Sequence, residues 1–219
     1  RRVHMKKMIM FGVLACFFAG LSLVAPYAWA EQNRRVLLII NDHKSADLEL
    51  MLTKEVGVMK DLLNKAGFKV VAATVSGQPL VAGSTTFKPD LKLSDVKGAD
   101  YAGFIMPCMA AEEDPVLLRE VIPIIKGAVA EGKPVAAELG SVIILAKAGV
   151  LSGRKYAFQK EYVEKEPALK EAVYSGDGVV QDGKIITSGV CPYTAKEKGI
   201  PDTTTALTKA LIAELAPKK

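Results

Sequence analysis

Short apolar runs alternate with amphipathic segments along most of this chain. Residues 36–40 form a continuous apolar run, which is typical of a strand buried on both faces. From residue 46 to residue 66, apolar side chains recur every three or four positions, and Gly67 follows. That spacing predicts an amphipathic helix that ends beside a glycine cap. The chain therefore begins its folded part with a strand followed by a helix.

The same alternation continues to the end of the sequence. It predicts further strands at residues 68–73, 101–106, 133–138 and 155–158, a small strand excursion at 80–87 and a hairpin at 179–187. Helices are expected after the Asp114-Pro115 start signal, with a kink or restart at Pro123, and at residues 140–148, 167–173 and 202–215. Alternating strands and helices predict a three-layer, doubly wound α/β fold of the flavodoxin-like type with a mostly parallel sheet. We expect a single domain over residues 31–219.

Residues 1–30 have a different character. Arg1, Arg2, Lys6 and Lys7 precede an apolar run, and a small-residue pattern ends it at Ala30. This layout predicts a secretory signal peptide and a periplasmic or secreted protein. A retained membrane anchor is the alternative, because the run approaches the roughly 20 residues that a span requires. A lipid anchor on Cys16 is a weaker alternative.

Removal of the leader changes the charge and the set of reactive residues. The chain has 29 Lys and Arg against 24 Asp and Glu, and the leader takes four of the basic residues and none of the acidic ones. The remaining chain is almost neutral, with no basic stripe, so we expect no nucleic-acid partner and no membrane contact after cleavage. It keeps one histidine, His43, and two cysteines, Cys108 and Cys191.

These three residues all follow strands of the predicted sheet. In open parallel sheets ligands bind beyond the carboxyl ends of the strands. His43 follows the first strand, Cys108 and Met109 follow the strand at 101–106, and Cys191 follows the hairpin. The segment 139–141 follows the strand at 133–138. The sequence therefore predicts a site at this edge.

The segment around residue 139 resembles a motif of the DJ-1/PfpI (ThiJ/PfpI) superfamily, which has a class I glutamine amidotransferase-like fold. Residues 135–155 read V-A-A-E-L-G-S-V-I-I-L-A-K-A-G-V-L-S-G-R-K, which is similar to the family form V-A-A-I-C-H-G-P-x-x-L-A-x-A-G-L-L-x-G-R-K. Residues 100–107 and 182–188 resemble two further family segments. The resemblance extends from about residue 34 to the end of the chain. It implies the fold, and it implies a homodimer or larger homo-oligomer.

The departures from the family pattern concern the reactive positions. The family carries a nucleophilic Cys at a sharp strand-to-helix elbow, commonly followed by His, and these positions here are Leu139 and Gly140. An aliphatic side chain cannot act as a nucleophile. The family also has Gly-Gly where this chain has Cys108 and Met109. Ser141 is interpreted as a first-turn helix residue near backbone N–H groups that can hold an anion.

The resemblance also implies a glutamate beside the elbow. Residues 47–50 resemble the family's E-D-x-E-L, which favours Glu49, whereas counting back from Gly67 selects Glu55. We prefer Glu49.

Three functions remain open at this point. The first is a binding protein for a small carbonyl or carboxylate ligand, with Leu139, Gly140, Ser141, Met109 and Cys191 around the ligand. The second is an enzyme in which Cys108 is the nucleophile, assisted by His43 or Glu49. The third is a thiol redox or stress protein that uses Cys108 and Cys191. None of the three requires a cofactor. A metal site is not expected, because one histidine and two cysteines fall short of the four N or S ligands that zinc prefers.

Overall fold

A computed structural model describes residues 34–42, 47–110 and 114–216. The predicted leader and His43 lie outside these ranges. Within them, no helix is both long enough and apolar enough to cross a membrane.

The described strands are short and belong to three sheets. They are β1 (Arg35–Ile39), β2 (Lys69–Thr74), β3 (Leu80–Ala82), β4 (Thr85–Phe87), β5 (Leu91–Lys92), β6 (Gly103–Met106), β7 (Val135–Glu138), β8 (Lys155–Tyr156), β9 (Val173–Tyr174), β10 (Val179–Asp182) and β11 (Ile185–Ser188). The central sheet has the order β10-β11-β7-β6-β1-β2-β5. All its neighbours are parallel except β10 and β11, which form the predicted hairpin.

Helices connect these strands. They are α1 (Leu48–Leu50, continued by a π-helical segment Met51–Val56 and by Gly57–Lys65), α2 (Pro115–Ala130), α3 (Val142–Lys147), α4 (Lys160–Val163), α5 (Pro192–Lys198) and α6 (Thr204–Leu215). Short 3₁₀ turns occur at Leu93–Asp95, Gly98–Asp100, Leu139–Ser141 and Pro167–Leu169.

Strand residues point alternately to two apolar layers, which gives the fold its three layers. Leu37 and Ile39 of β1 pack in one core with side chains of α2 and α3. Leu38 and Ile40 pack in the other core with side chains of α1 and α6. A strand covered on both faces has no polar side, which explains the continuous apolar run in the sequence. The predicted doubly wound α/β fold is confirmed.

Two local predictions need correction. Helix α2 continues through Pro123, so the predicted restart there is wrong, and the alternative of a kink stays a prediction. Pro123 is exposed, so the carbonyl that loses its N–H partner can be hydrogen-bonded by water. The predicted helix at 167–173 is only the 3₁₀ turn Pro167–Leu169 followed by β9, whose two residues pair with β8.

Candidate functional site

Three adjacent strands bring the candidate residues to one cavity. Cys108 follows β6, Leu139 follows β7 and Cys191 follows β11, and β7 is paired in parallel with both of its neighbours. The cavity has a volume of about 360 Å³, which lies within the range of small-molecule sites. Its wall is formed by Asp47, Met51, Glu55, Cys108, Met109, Ala110, Leu139, Gly140, Ile143, Phe158, Gln159, Tyr162, Lys165, Glu166, Cys191, Tyr193 and Thr194.

The strand-to-helix elbow lies at Leu139. This residue has φ +39°, and it is the only residue other than glycine with a positive φ in the described part of the chain. A left-handed conformation costs an L-residue with a Cβ roughly 1–2 kcal/mol, and such strain is usually found at functional sites. The elbow therefore keeps its strained backbone, and it presents a partly buried leucine side chain to the cavity.

Gly140 and Ser141 fix the elbow against the loop that follows β6. A Cβ atom at residue 140 would collide with the carbonyl oxygen of Met109, so only glycine allows this approach. The buried Ser141 hydroxyl donates a hydrogen bond to the carbonyl of Pro107. Ser141 thus holds two loops together, and it is not among the residues that form the cavity wall.

The carboxylate at the site belongs to Glu55, not to Glu49. Glu55 is 2% exposed, and its Oε2 accepts a hydrogen bond of 2.6 Å from the backbone N–H of Cys108. Glu49 is exposed on α1, where its Oε1 lies 3.5 Å from the Thr85 hydroxyl, away from the cavity. The preference for Glu49 was therefore wrong about position. The π-helical segment Met51–Val56 widens the turn that carries Glu55 inward, and π-helical turns frequently occur at functional sites.

Glu138 is a second buried carboxyl that the sequence reasoning missed. It is the last residue of β7, it is 0% exposed, and it accepts hydrogen bonds of 3.0 and 3.2 Å from the Thr204 hydroxyl. Its carboxyl lies close enough to that of Glu55 for each group to shift the pKa of the other. The available signal was an acidic residue at the end of an otherwise apolar buried strand, at a position where the family form has Ile.

Burial controls the protonation of this carboxyl pair. Desolvation raises the pKa of Glu55 well above its ordinary value, and the nearby sulfur of Cys191 raises it further. Desolvation and the neighbouring Glu55 likewise raise the pKa of Glu138. Among the described residues no ion pair neutralises either carboxyl. Burial therefore favours the protonated, neutral form of these carboxyls.

The pKa values of the two thiols are shifted in opposite directions. The hydrogen bond to Cys191, together with burial, raises the pKa of Cys108 well above its ordinary value. That same bond is the main reason why the pKa of Cys191 is lowered to about 6, with further hydrogen bonds from Thr194 and Tyr193. Both cysteines are free thiols.

Two predicted site residues remain, Met109 and His43. Met109 lines the cavity and is 1% exposed, and its Sδ lies 2.9 Å from the backbone nitrogen of Asn41. His43 lies outside the described residues, so its predicted role with Cys108 stays a prediction. In the described ranges, no three His, Cys, Asp or Glu side chains come together as a metal-binding group.

A doubly wound sheet whose strained elbow opens on such a cavity defines a protein with the class I glutamine amidotransferase-like fold. The sequence profile of the DJ-1/PfpI family matches residues 34–196, and the chain belongs to that family. A relative from Archaeoglobus fulgidus, an uncharacterized protein, is 29% identical over 153 residues, which cover 69% of this chain and 87% of the relative.

Solved structures with the same fold share little sequence with this chain. A ThiJ/PfpI domain protein from Brachyspira murdochii has a TM-score of 0.65 at 16% identity and covers 83% of this chain and 96% of its own. Drosophila melanogaster DJ-1beta has a TM-score of 0.62 at 22% identity, covering 84% and 91%. The putative protease I from Bacteroides thetaiotaomicron has a TM-score of 0.61 at 12% identity, covering 84% and 99%. At these identities the likeness shows the fold alone.

Proposed function

We propose that this chain is an exported DJ-1/PfpI-family protein that binds a small carbonyl or carboxylate ligand at a nucleophile elbow that has lost its nucleophile. The observation that carries this proposal is Leu139, which occupies the strained elbow and lines the cavity with an aliphatic side chain. The backbone geometry of the elbow is retained while the reactive atom is replaced. That combination favours a shaped pocket over thiol chemistry at this position.

The lining of the cavity supports the ligand class. Most of it is apolar, and a few polar groups converge on it, which is the usual composition of a small-molecule site. Glu55 lines the cavity, and burial raises its pKa, which favours a neutral carboxyl that can hydrogen-bond a carbonyl or carboxylate oxygen. The exposed Lys165, whose ammonium lies 5.3 Å from the Tyr162 ring centroid, supplies a positive charge at the wall.

Titration with small ligands tests whether the cavity is a binding site. Small carboxylates and ketones are titrated into the full chain while ¹H–¹⁵N spectra and melting temperatures are recorded. We expect at least one compound to stabilise the wild type, and we expect Leu139→Phe to weaken that binding at least about tenfold, because the ring occupies the ligand volume. Val81→Phe is the matched control, since Val81 is 68% exposed on β3. Equal binding by Leu139→Phe, or no binding of any compound by the wild type, would contradict the proposal.

Export and assembly are separate parts of the proposal. The basic start and apolar run of residues 1–30 support export. Mass spectrometry of the secreted or periplasmic chain is expected to find Glu31 at its amino terminus, and a chain that retains residues 1–30 in the membrane fraction would contradict this. Sedimentation velocity is expected to show a homodimer or larger homo-oligomer.

A second candidate function rests on a different observation. Cys108 and Cys191 both line the cavity, and each shifts the pKa of the other. Two free thiols on one cavity wall can form a disulfide when their sulfur atoms meet, and such pairs are typical of proteins that exchange or sense oxidising equivalents. We therefore propose thiol redox activity as the alternative to ligand binding. By contrast, the raised pKa of Cys108 argues against Cys108 as the nucleophile of a hydrolase.

A further inference from the structure

The polar groups of the cavity wall differ in depth. Glu55, Gln159 and Thr194 all line the cavity, and each is at least nine-tenths buried. They lie near one another, because helix α5, which carries Thr194, packs against the π-helical segment that carries Glu55, and Gln159 donates a 2.7 Å hydrogen bond to the Thr194 hydroxyl. Lys165 and Tyr162 of the same wall are exposed. The cavity therefore has a buried end, at Glu55, Gln159 and Thr194, and an open end, at Lys165 and Tyr162.

The buried end is unsuitable for an anion. The titratable groups that act on Glu55 are Glu138, Cys191 and Asp202, which are all acidic, and no described residue forms an ion pair with Glu55. If Glu55 is ionised, a carboxylate beside it is repelled, and if Glu55 is protonated, the carboxylate is buried without a counter-ion. A neutral carbonyl oxygen has neither cost. It can accept a hydrogen bond from a protonated Glu55 or from the second N–H of the Gln159 amide.

The open end carries the positive charge of the described wall. Two carboxylates, Asp47 and Glu166, also belong to the wall, but each accepts a hydrogen bond from a backbone N–H of its own turn, at 2.9 and 3.1 Å. The Lys165 ammonium lies 5.3 Å from the Tyr162 ring centroid and forms no salt bridge with a described residue. A ligand carboxylate is therefore best accommodated beside Lys165.

We propose that the ligand is a short aliphatic oxo acid that binds in one orientation, with its carbonyl oxygen at Glu55 and Gln159 and its carboxylate beside Lys165. This inference rests on the ligand-binding function proposed above, and it narrows the ligand to a compound that carries both groups. The aliphatic chain of the ligand contacts the apolar part of the wall, which includes Leu139 and Ile143. Binding is reversible and forms no covalent bond.

Three compounds test the two ends of the cavity in titrations of the full chain followed by ¹H–¹⁵N spectra. They are 4-oxopentanoate, its neutral methyl ester, and pentanoate, which lacks the ketone. We expect 4-oxopentanoate to bind about three- to tenfold more tightly than pentanoate, because the ketone adds a hydrogen bond at the buried end. We also expect it to bind about two- to fivefold more tightly than the ester, because its carboxylate forms an ion pair at the solvent-exposed open end.

Two variants assign these preferences to residues. Lys165→Met should remove the preference for the acid over its ester, whereas Lys160→Met should retain it, because Lys160 is exposed on α4 and is not part of the wall. Gln159→Leu should reduce the preference for 4-oxopentanoate over pentanoate about threefold or more, and Gln181→Leu on β10 is its control. Each readout is a ratio of two affinities, so a change in packing that affects both compounds alike cancels.

The orientation is measured on the wild type, without a variant that has to fold. Intermolecular NOEs are recorded between 4-oxopentanoate and the full chain. The ligand methyl group, which is bonded to the ketone carbon, is expected to contact the methyl group of Met109, which lines the cavity and is 1% exposed. The methylene group next to the carboxylate is expected to contact the exposed Tyr162 ring.

The outcomes separate this inference from the function on which it rests. If pentanoate or the ester binds as tightly as 4-oxopentanoate, or if the NOEs show the reverse orientation, the oxo-acid assignment is overturned and the binding function stands. The same conclusion follows if 4-oxopentanoate does not bind while another small ketone or acid does. If no small ketone or carboxylate binds the wild type, the binding function itself is overturned.

Discussion

Replacing Glu138 with Gln tests whether the buried carboxyl pair holds a proton. Glutamine has nearly the same shape as glutamic acid, it keeps an oxygen for the Thr204 hydroxyl, and it offers an N–H to Glu55. It therefore reproduces the contacts of the protonated side chain and removes the need to bury an acid. The perturbation is thus electrostatic and not steric.

The sign of the effect follows from the direction of the pKa shift. Burial raises the pKa of Glu138 in the folded chain, so folding favours the protonated form. The contribution of the pair to stability is complete below the unfolded pKa of about 4.3, and it is lost as the pH rises through the folded pKa. We expect Glu138→Gln to be close to neutral at pH 4 and to increase the free energy of unfolding by about 1–3 kcal/mol at pH 8, because the variant no longer has to bury an ionisable carboxyl.

Urea unfolding from pH 4 to pH 8 measures this effect, and the melting temperature should rise by about 3–9 °C at pH 8. Glu49→Gln is the matched control, because Glu49 is exposed on the same helix that carries Glu55. Its effect should stay within about 0.5 kcal/mol at every pH. If Glu138→Gln destabilises the protein equally at pH 4 and pH 8, the pair does not hold a proton and the reasoning fails.

Three further substitutions probe the elbow and the adjoining helix by thermal or chemical unfolding. Gly140→Ala should lower the free energy of unfolding by about 3 kcal/mol or more, because the added Cβ collides with the Met109 carbonyl. The control Gly127→Ala lies in open space in α2 and should raise the free energy of unfolding by up to about 1 kcal/mol. Equal effects of the two substitutions would disprove the close approach at Gly140. Asp114→Ala should lower the free energy of unfolding by about 1 kcal/mol, since the carboxylate accepts hydrogen bonds of 3.0 and 2.9 Å from two N–H groups of α2. An unchanged unfolding midpoint would show that this cap does not stabilise the protein. Leu139→Gly should change stability by less than about 1 kcal/mol, because relief of the positive φ offsets lost packing, and a larger loss would mean that the elbow is unstrained.

The fold was predictable because its signals are local and repeated. Residues 36–40 are apolar at every position since two helical layers cover β1, and the caps Asp114 and Gly67 mark helix ends directly. The failures have local causes as well. Exposed Pro123 interrupts hydrogen bonding but not the helix, and the segment 167–173 contributes β9 only because β8 lies beside it. A pairing between distant short strands leaves almost no trace in the sequence.

The site was predictable in its location and less so in its members. Parallel strands had to bring Cys108, Leu139 and Cys191 to one edge. The choice between Glu49 and Glu55 weighed a motif likeness at residues 47–50 against a count back from Gly67, and only the structure shows that the π-helical segment carries Glu55 inward. The different character of the two thiols arises from hydrogen bonds made after folding, so sequence alone treats them as equivalent.

The side-by-side arrangement of β6, β7 and β11 has a consequence for how chemistry changes in this architecture. Neighbouring strands of a sheet lie about 4.8 Å apart, so the first residues beyond these three strands are near neighbours around one opening. A reactive group can be deleted at the central position and gained at a flanking one by single substitutions, without an insertion or a new loop. Searches for activity in divergent relatives should therefore examine the residues after all three strands. An unreactive residue after the central strand does not prevent a residue after a flanking strand from reacting.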